Sequence, residues 1–303
     1  MPKRTIRLKE HELDQSTHQD APDRIREMSD DSLPEGPYLV RTDGNGFIAT
    51  GNDVDADAPE MFILGDSFVE SHFAAEDLRF ASQVERALLA AGTPYRVRNG
   101  GYSGMTSLHM LGVLSVKMPP LLKPGSKVLL VIGQSDVNAL RSSGLYWEQS
   151  KTVSPFGIPT ADSIVMAQQW QDAFVQMVSA VITFSKLHGY DFAITAGLFR
   201  NGDFDNDVVL RRTHRRSREA HEDSVEKRKF VISAVRSLAR KHDVPLFDVS
   251  TDFLDRPDFF YDLLHLNQEG QVAYSRALAS WISREWLRPV PSWRRLLRRR
   301  LRS

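Results

Sequence analysis

Between residues 61 and 249, short apolar runs alternate with longer stretches of helical spacing, and this alternation leaves few folds open. The runs at 61–64, 127–132, 192–195 and 245–249 read as strands, with a shorter one at 95–99. Helical spacing runs through 80–91 (Val84, Leu88, Leu89), 107–116 and 164–188. A charged helix is expected over 217–242, and 268–286 closes the fold. A strand that is apolar throughout has no face for water, so it needs cover on both sides. Helices between successive strands supply that cover through parallel crossovers. The expected fold is α/β, a three-layer α/β/α sandwich with a mostly parallel central sheet of the flavodoxin-like type. One such domain is expected over 36–288, between a polar N-terminal arm (1–35) and a basic tail (289–303). The arm shows no sustained period and reads as extended or partly disordered. The stretch 37–48 reads as a short hairpin turning at Asp43-Gly44-Asn45-Gly46.

Composition narrows the chemistry. Of the 303 residues none is cysteine, which removes disulfides, thiolate zinc sites and a cysteine nucleophile. The basic N-terminus has no apolar stretch behind it, so no secretory signal is expected, and no apolar run is long enough to span a bilayer. A cytoplasmic protein is the expectation. The net charge is zero, but residues 284–303 hold eight arginines and one glutamate, +7, leaving −7 elsewhere. Pro289 and Pro291 separate this tail from the preceding helix. It reads first as a solvated appendage. Its Trp293, Leu296, Leu297 and Leu301, interleaved with arginines, also suit peripheral contact with an anionic membrane or another polyanion. No phosphate loop, dinucleotide fingerprint or histidine–carboxylate spacing of a metal site is present. No cofactor, no metal ligand and no specific nucleic-acid binding are therefore expected.

In parallel sheets the ligand crevice lies beyond the carboxyl ends of the strands. Ser67, Gly104 and Ser135 follow the first three expected strands and so fall at that edge. Ser67 ends Gly65-Asp66-Ser67, and Asp262 and His265 stand three apart just before the final helix. A serine hydroxyl is a poor nucleophile until a base takes its proton, and an imidazole is a good base when a carboxylate orients it. Taken singly these residues are weak signals. Gly-Asp is a plain turn, Asp262 suits a cap, and nine histidines offer accidental partners. Their order along the sheet makes them the parts of a serine hydrolase.

The chain resembles the SGNH (GDSL-type) hydrolases over residues 36–288. Gly65-Asp66-Ser67 matches the nucleophile block, Asn99 to Gly104 the Asn-x-x-x-x-Gly block, and Asp262 with His265 the Asp-x-x-His block. The resemblance implies Ser67 as nucleophile, His265 as base and Asp262 as orienting carboxylate. It also implies an oxyanion hole from the Ser67 and Gly104 backbone N–H groups. One block departs: Gly133-Gln134-Ser135-Asp136 stands where the family has Gly-x-Asn-Asp, so Ser135 replaces an asparagine oxyanion donor. A hydroxyl also donates, but it is shorter and rotates freely. Asn138 lies close by in sequence.

Other features compete for a role. Ser103 is a rival serine without the spacing of a Gly-x-Ser-x-Gly elbow. Glu70 and His72 follow the nucleophile closely and read as surface or helix positions before pocket ones. The basic cluster at 211–218 reads as a solvated helix start, with an anionic docking patch as the alternative. The stretch 141–162, with Tyr146, Trp147 and Phe156, is long for a loop and suits a substrate wall. The expected activity is hydrolysis of an ester, an O-acetyl group on a carbohydrate or another small acyl ester, through an acyl-serine. An O-acyltransferase using the same intermediate is the first alternative, and a catalytically silent ligand-binding or membrane-associated protein the second.

Overall fold

The computed structural model describes residues 8–143 and 170–287. Its first elements are β1 (Ser16–Gln19), α1 (Asp23–Met28), β2 (Tyr38–Arg41), β3 (Glu60–Gly65), α2 (Ser67–Glu70) and α3 (Phe80–Ala90). Then come β4 (Arg96–Gly101), α4 (Ser107–Val116), β5 (Lys127–Ile132), α5 (Gln134–Ser143), α6 (Trp170–Leu187) and β6 (Phe192–Ala196). The described chain closes with α7 (Val208–Thr213), α8 (Arg218–Lys241) and α9 (Gln268–Trp281), which runs on into a π turn at Ile282–Trp286. Most of the loop expected over 141–162, the first residues of the helix expected at 164, and the basic tail lie outside the described residues. Among the described residues no helix is long and apolar enough to cross a membrane.

The central sheet is parallel, in the order β4-β3-β5-β6. The apolar strands divide residue by residue between two layers. Phe62, Leu64, Leu130 and Ile132 pack with Val113, Val178, Ile182 and Val235 from α4, α6 and α8. Met61, Ile63, Leu129 and Val131 pack on the other side with Phe80, Val84, Tyr274 and Leu278 from α3 and α9. Each such side chain contributes about 1.5–3 kcal/mol by leaving water. The α/β/α sandwich is as expected, and its strand order sets the crevice. From β3 the chain crosses to β4 on one side, whereas β5 lies on the other side and leads to β6. The order therefore reverses between β3 and β5, and a crevice opens there. Ser67 follows β3 and Ser135 follows β5.

Two local expectations are corrected, and a third, the hairpin, forms with a short return limb. Residues 8–35 are a folded part of the molecule rather than a loose arm. β1 pairs antiparallel with β2, Asp30 accepts from Arg200 at 2.5 Å, and Ser32 Oγ accepts from Asn267 Nδ2 at 3.0 Å. The expected hairpin keeps its turn, since Gly46 N–H donates to Asp43 O at 2.8 Å. Its returning limb pairs back through an antiparallel bridge between Thr42 and Ile48, with Ala49 N–H on Arg41 O at 2.8 Å. Ile48 N–H reaches on to Asn99 O at 2.8 Å, while the longer ladder of β2 is with β1. The strand expected at 245–249 shrinks to one bridge between Leu246 and Ile194. Pro245 brings no N–H to extend a ladder. Asp248 turns the chain away by accepting from Arg236 at 2.5 Å and from Ser250 Oγ at 2.7 Å.

Candidate active site

Ser67 is the first residue of α2, immediately after β3, and is partly exposed at the carboxyl edge of the sheet. The preceding Asp66 is buried and caps this turn, its Oδ1 accepting from Phe68 N–H at 3.0 Å. From 198 residues away, His265 brings Nε2 to 2.8 Å from Ser67 Oγ. Its Nδ1 lies 2.7 Å from Asp262 Oδ2. The other oxygen of Asp262 accepts the backbone N–H groups of Leu264 and His265, at 2.8 and 2.7 Å. One tight turn thus fixes carboxylate and imidazole relative to each other. The Tyr261 ring stacks on His265, with centroids 5.6 Å apart and planes 15° from parallel.

Electrostatics follow from burial and these partners. Burial alone would raise the Asp262 carboxyl, but the charge and hydrogen bonds of His265 and its neighbouring N–H groups hold it below the ordinary range. Burial alone would lower His265. The Asp262 charge and hydrogen bond, aided by Asp66 and Glu70, outweigh it and raise the imidazole above its ordinary value. Asp66 is raised by burial despite the bonds that it accepts. Such a chain readies Nε2 to take a proton from Oγ and keeps the resulting imidazolium paired.

The second block sits against this turn. Asn99 Nδ2 donates to Val69 O at 3.0 Å, and its Oδ1 accepts from Gly101 N–H at 3.0 Å. Tyr102 N–H donates to Gly65 O at 3.0 Å. The chain then turns through Tyr102–Met105, with Met105 N–H on Tyr102 O at 2.9 Å and Gly104 at φ +73°. A positive φ at the third position of such a turn is the reason for glycine there.

The Ser135 hydroxyl, expected at the oxyanion, instead points to Asp66, the residue that caps α2. Its Oγ and its backbone N–H both donate to Asp66 Oδ2, each at 2.9 Å. A hydroxymethyl reaches less far than an asparagine amide, and the buried carboxylate beside it needs donors. Asn138 is exposed on α5 and does not compensate. Ser103 is exposed and donates its hydroxyl to Glu70 rather than to a histidine. The basic cluster spans the end of α7 and the start of α8, where Arg212 donates to Glu27 O and Ser29 O at 3.2 Å each. Phe68, Phe73, Tyr261 and Leu266 border Ser67 and His265.

Two groups escaped the sequence reading. Asp66 is a junction that ties the ends of β3 and β5 together. Glu70 is a helix position, the last of α2, but a buried one, and its carboxylate meets His11 and His72. No local spacing signals that meeting, because His11 comes from the arm.

The GDSL-like lipase/acylhydrolase family matches residues 63–273 of the sequence. In structure, the chain is similar to the acetyl xylan esterase AlAXEase, at 17% identity and a TM-score of 0.51, covering 73% of this chain and 99% of that one. It is also similar to a substituted form of an acetyl xylan esterase from Geobacillus stearothermophilus, at 14% identity and a TM-score of 0.50, covering 78% and 99%. At these identities the likeness is one of fold. No curated protein matches the sequence.

Proposed function

This chain belongs to the GDSL-like lipase/acylhydrolase family, and from that premise we propose that it is a serine esterase that removes a small acyl group, of the O-acetyl class, from a carbohydrate. The observation that carries this reading is the continuous hydrogen-bonded path from Ser67 Oγ through His265 to Asp262. Ser67 Oγ attacks the ester carbonyl while His265 Nε2 takes its proton. Asp262 holds the ring in the tautomer that leaves Nε2 free and stabilises the imidazolium. The backbone N–H groups of Ser67 and Gly104 receive the negative charge that develops on the carbonyl oxygen. His265 returns its proton to the leaving sugar oxygen, and an acyl-Ser67 remains. Water, deprotonated by the same nitrogen, releases the acid.

Ser135 serves this scheme indirectly. Its two donors to Asp66 hold the cap that sets the start of α2, so the nucleophile's backbone is fixed from the β5 side. The fold shared with two acetyl xylan esterases supports a carbohydrate as the alcohol. The test is product analysis with acetylated xylo-oligosaccharides and a free sugar acceptor. Free acetate as the main product, lost by at least about 10³-fold in Ser67→Ala, is expected. Acetyl transfer to the acceptor exceeding free acid would sink the hydrolase reading in favour of an acyltransferase.

A further inference from the structure

Glu70 closes the short helix that Ser67 opens, and hydrolysis gives it no contact with the reacting atoms. It is only 2% exposed. Its Oε1 lies 3.2 Å from His11 Nε2 and 3.5 Å from His72 Nε2, and the three atoms fall within 4.8 Å of one another. His72 Nε2 is buried and has no hydrogen-bond partner among the described residues. A buried imidazole nitrogen without a partner is costly, and a bound cation removes that cost. The two imidazole rings converge with centroids 5.5 Å apart and planes 44° from parallel. Ser103 Oγ donates to Oε2 of the carboxylate, which leaves Oε1 turned toward both imidazoles.

We propose that His11, Glu70 and His72 form a binding site for a divalent transition-metal cation of the zinc class. The donor set decides the class. Two imidazoles with one carboxylate suit zinc and its neighbours, whereas magnesium and calcium take oxygen donors. Around a tetrahedral cation with bonds of about 2.0–2.2 Å, neighbouring donors stand about 3.3–3.5 Å apart. The two separations from Glu70, 3.2 and 3.5 Å, match that spacing, and the two imidazole nitrogens lie within 4.8 Å of each other. The Gly101 carbonyl oxygen lies 3.0 Å from His11 Nε2, so a further oxygen stands beside that ligand. On binding, His11 Nε2 gives up its proton and its hydrogen bonds, and the cation takes the place of that proton.

The site joins parts that are far apart in sequence. His11 belongs to the N-terminal arm, Glu70 to the nucleophile's helix, and His72 follows that helix. A cation held by all three staples the arm against the catalytic turn. It is therefore a site of stability and positioning, and acylation of Ser67 does not require it.

The test is calorimetric titration of the chelator-treated, full-length protein with zinc ion, beside a thermal melt with and without zinc. One zinc per chain with a dissociation constant of about 1 μM or tighter is expected, with a melting temperature that rises with zinc. His11→Ala and His72→Ala are each expected to weaken binding by about tenfold or more, and His18→Ala, at an exposed histidine of β1, to leave it unchanged. Absence of one-to-one binding at about 100 μM zinc, or a loss smaller than about tenfold in both variants, would overturn the proposal. X-ray absorption at the zinc edge of the loaded wild type needs no variant. Two imidazole ligands are expected, and a shell without imidazole would overturn the site.

Discussion

At Ser67 the proposed reaction depends on a proton passing to His265, so the state of that imidazole would set the working pH. Burial pushes His265 down, but Asp262, Asp66 and Glu70 together raise it above the ordinary histidine value of 6.5. The base must be neutral to accept a proton, so kcat/KM should rise with pH through a midpoint above about 6.5 and then level. Asp262→Asn removes the chief upward influence. It should move the midpoint down and lower the rate by roughly 10⁴-fold, read from a pH–rate profile. A wild-type midpoint at or below the ordinary value would contradict this electrostatic picture. Ser135 supplies a second residue-scale test. Losing an oxyanion donor costs about 10²–10³ in rate. Because its hydroxyl serves Asp66, Ser135→Ala should cost less than about tenfold in kcat and instead lower stability by about 1–3 kcal/mol. Ser67, Asp262 and His265 were legible because short local motifs carry them. Where the Ser135 hydroxyl points depends on a carboxylate 69 residues away, which no local spacing reveals.

Elements are positioned by glycines where backbones meet. At the end of β4, a Cβ on Gly101 would stand 2.2 Å from Glu70 N and 2.6 Å from Val69 C, so β4 and α2 touch directly. Gly101→Ala must therefore push α2, and Ser67 with it. A cost of about 1–3 kcal/mol in stability is expected, along with a fall in kcat larger than that loss of folded protein explains. Chemical denaturation beside active-site titration separates the two effects, and unchanged kcat per titrated site would contradict the close contact. At Gly133, φ is +130° and a Cβ would meet Val231 Cγ1 at 2.3 Å, so the entry to α5 has the same requirement. Elements in the sheet core were legible: β5 and α4 fall on their expected bounds because apolar pattern and burial coincide there. Edges were not. β2 takes its partner from the arm, and the segment after α8 is ended by Pro245 and the Asp248–Arg236 pair, which are tertiary facts.

At the scale of the whole molecule, three layers bring residues from both ends of the chain to one crevice between β3 and β5. The arm is the part least legible in advance, since its polar composition hides contacts made one residue at a time. Arg200 shows the pattern, held between Asp30 of the arm and Asp207 at 2.5 and 2.7 Å and donating also to Phe260 O. That cluster lies beside the turn that carries Asp262 and His265, as Arg200 N–H donates to Leu263 O at 2.8 Å. The arm thus reaches the site from two sides, through Asp30 behind the histidine turn and through His11 beside the nucleophile's helix. The role proposed for Ser67 at this crevice is that of an activated nucleophile. Intact-mass labelling with a fluorophosphonate probe, comparing wild type with Ser67→Ala, tests it most directly. One adduct on the wild type and none on the variant are expected; an unlabelled wild type, or equal labelling of both proteins, would contradict an activated Ser67.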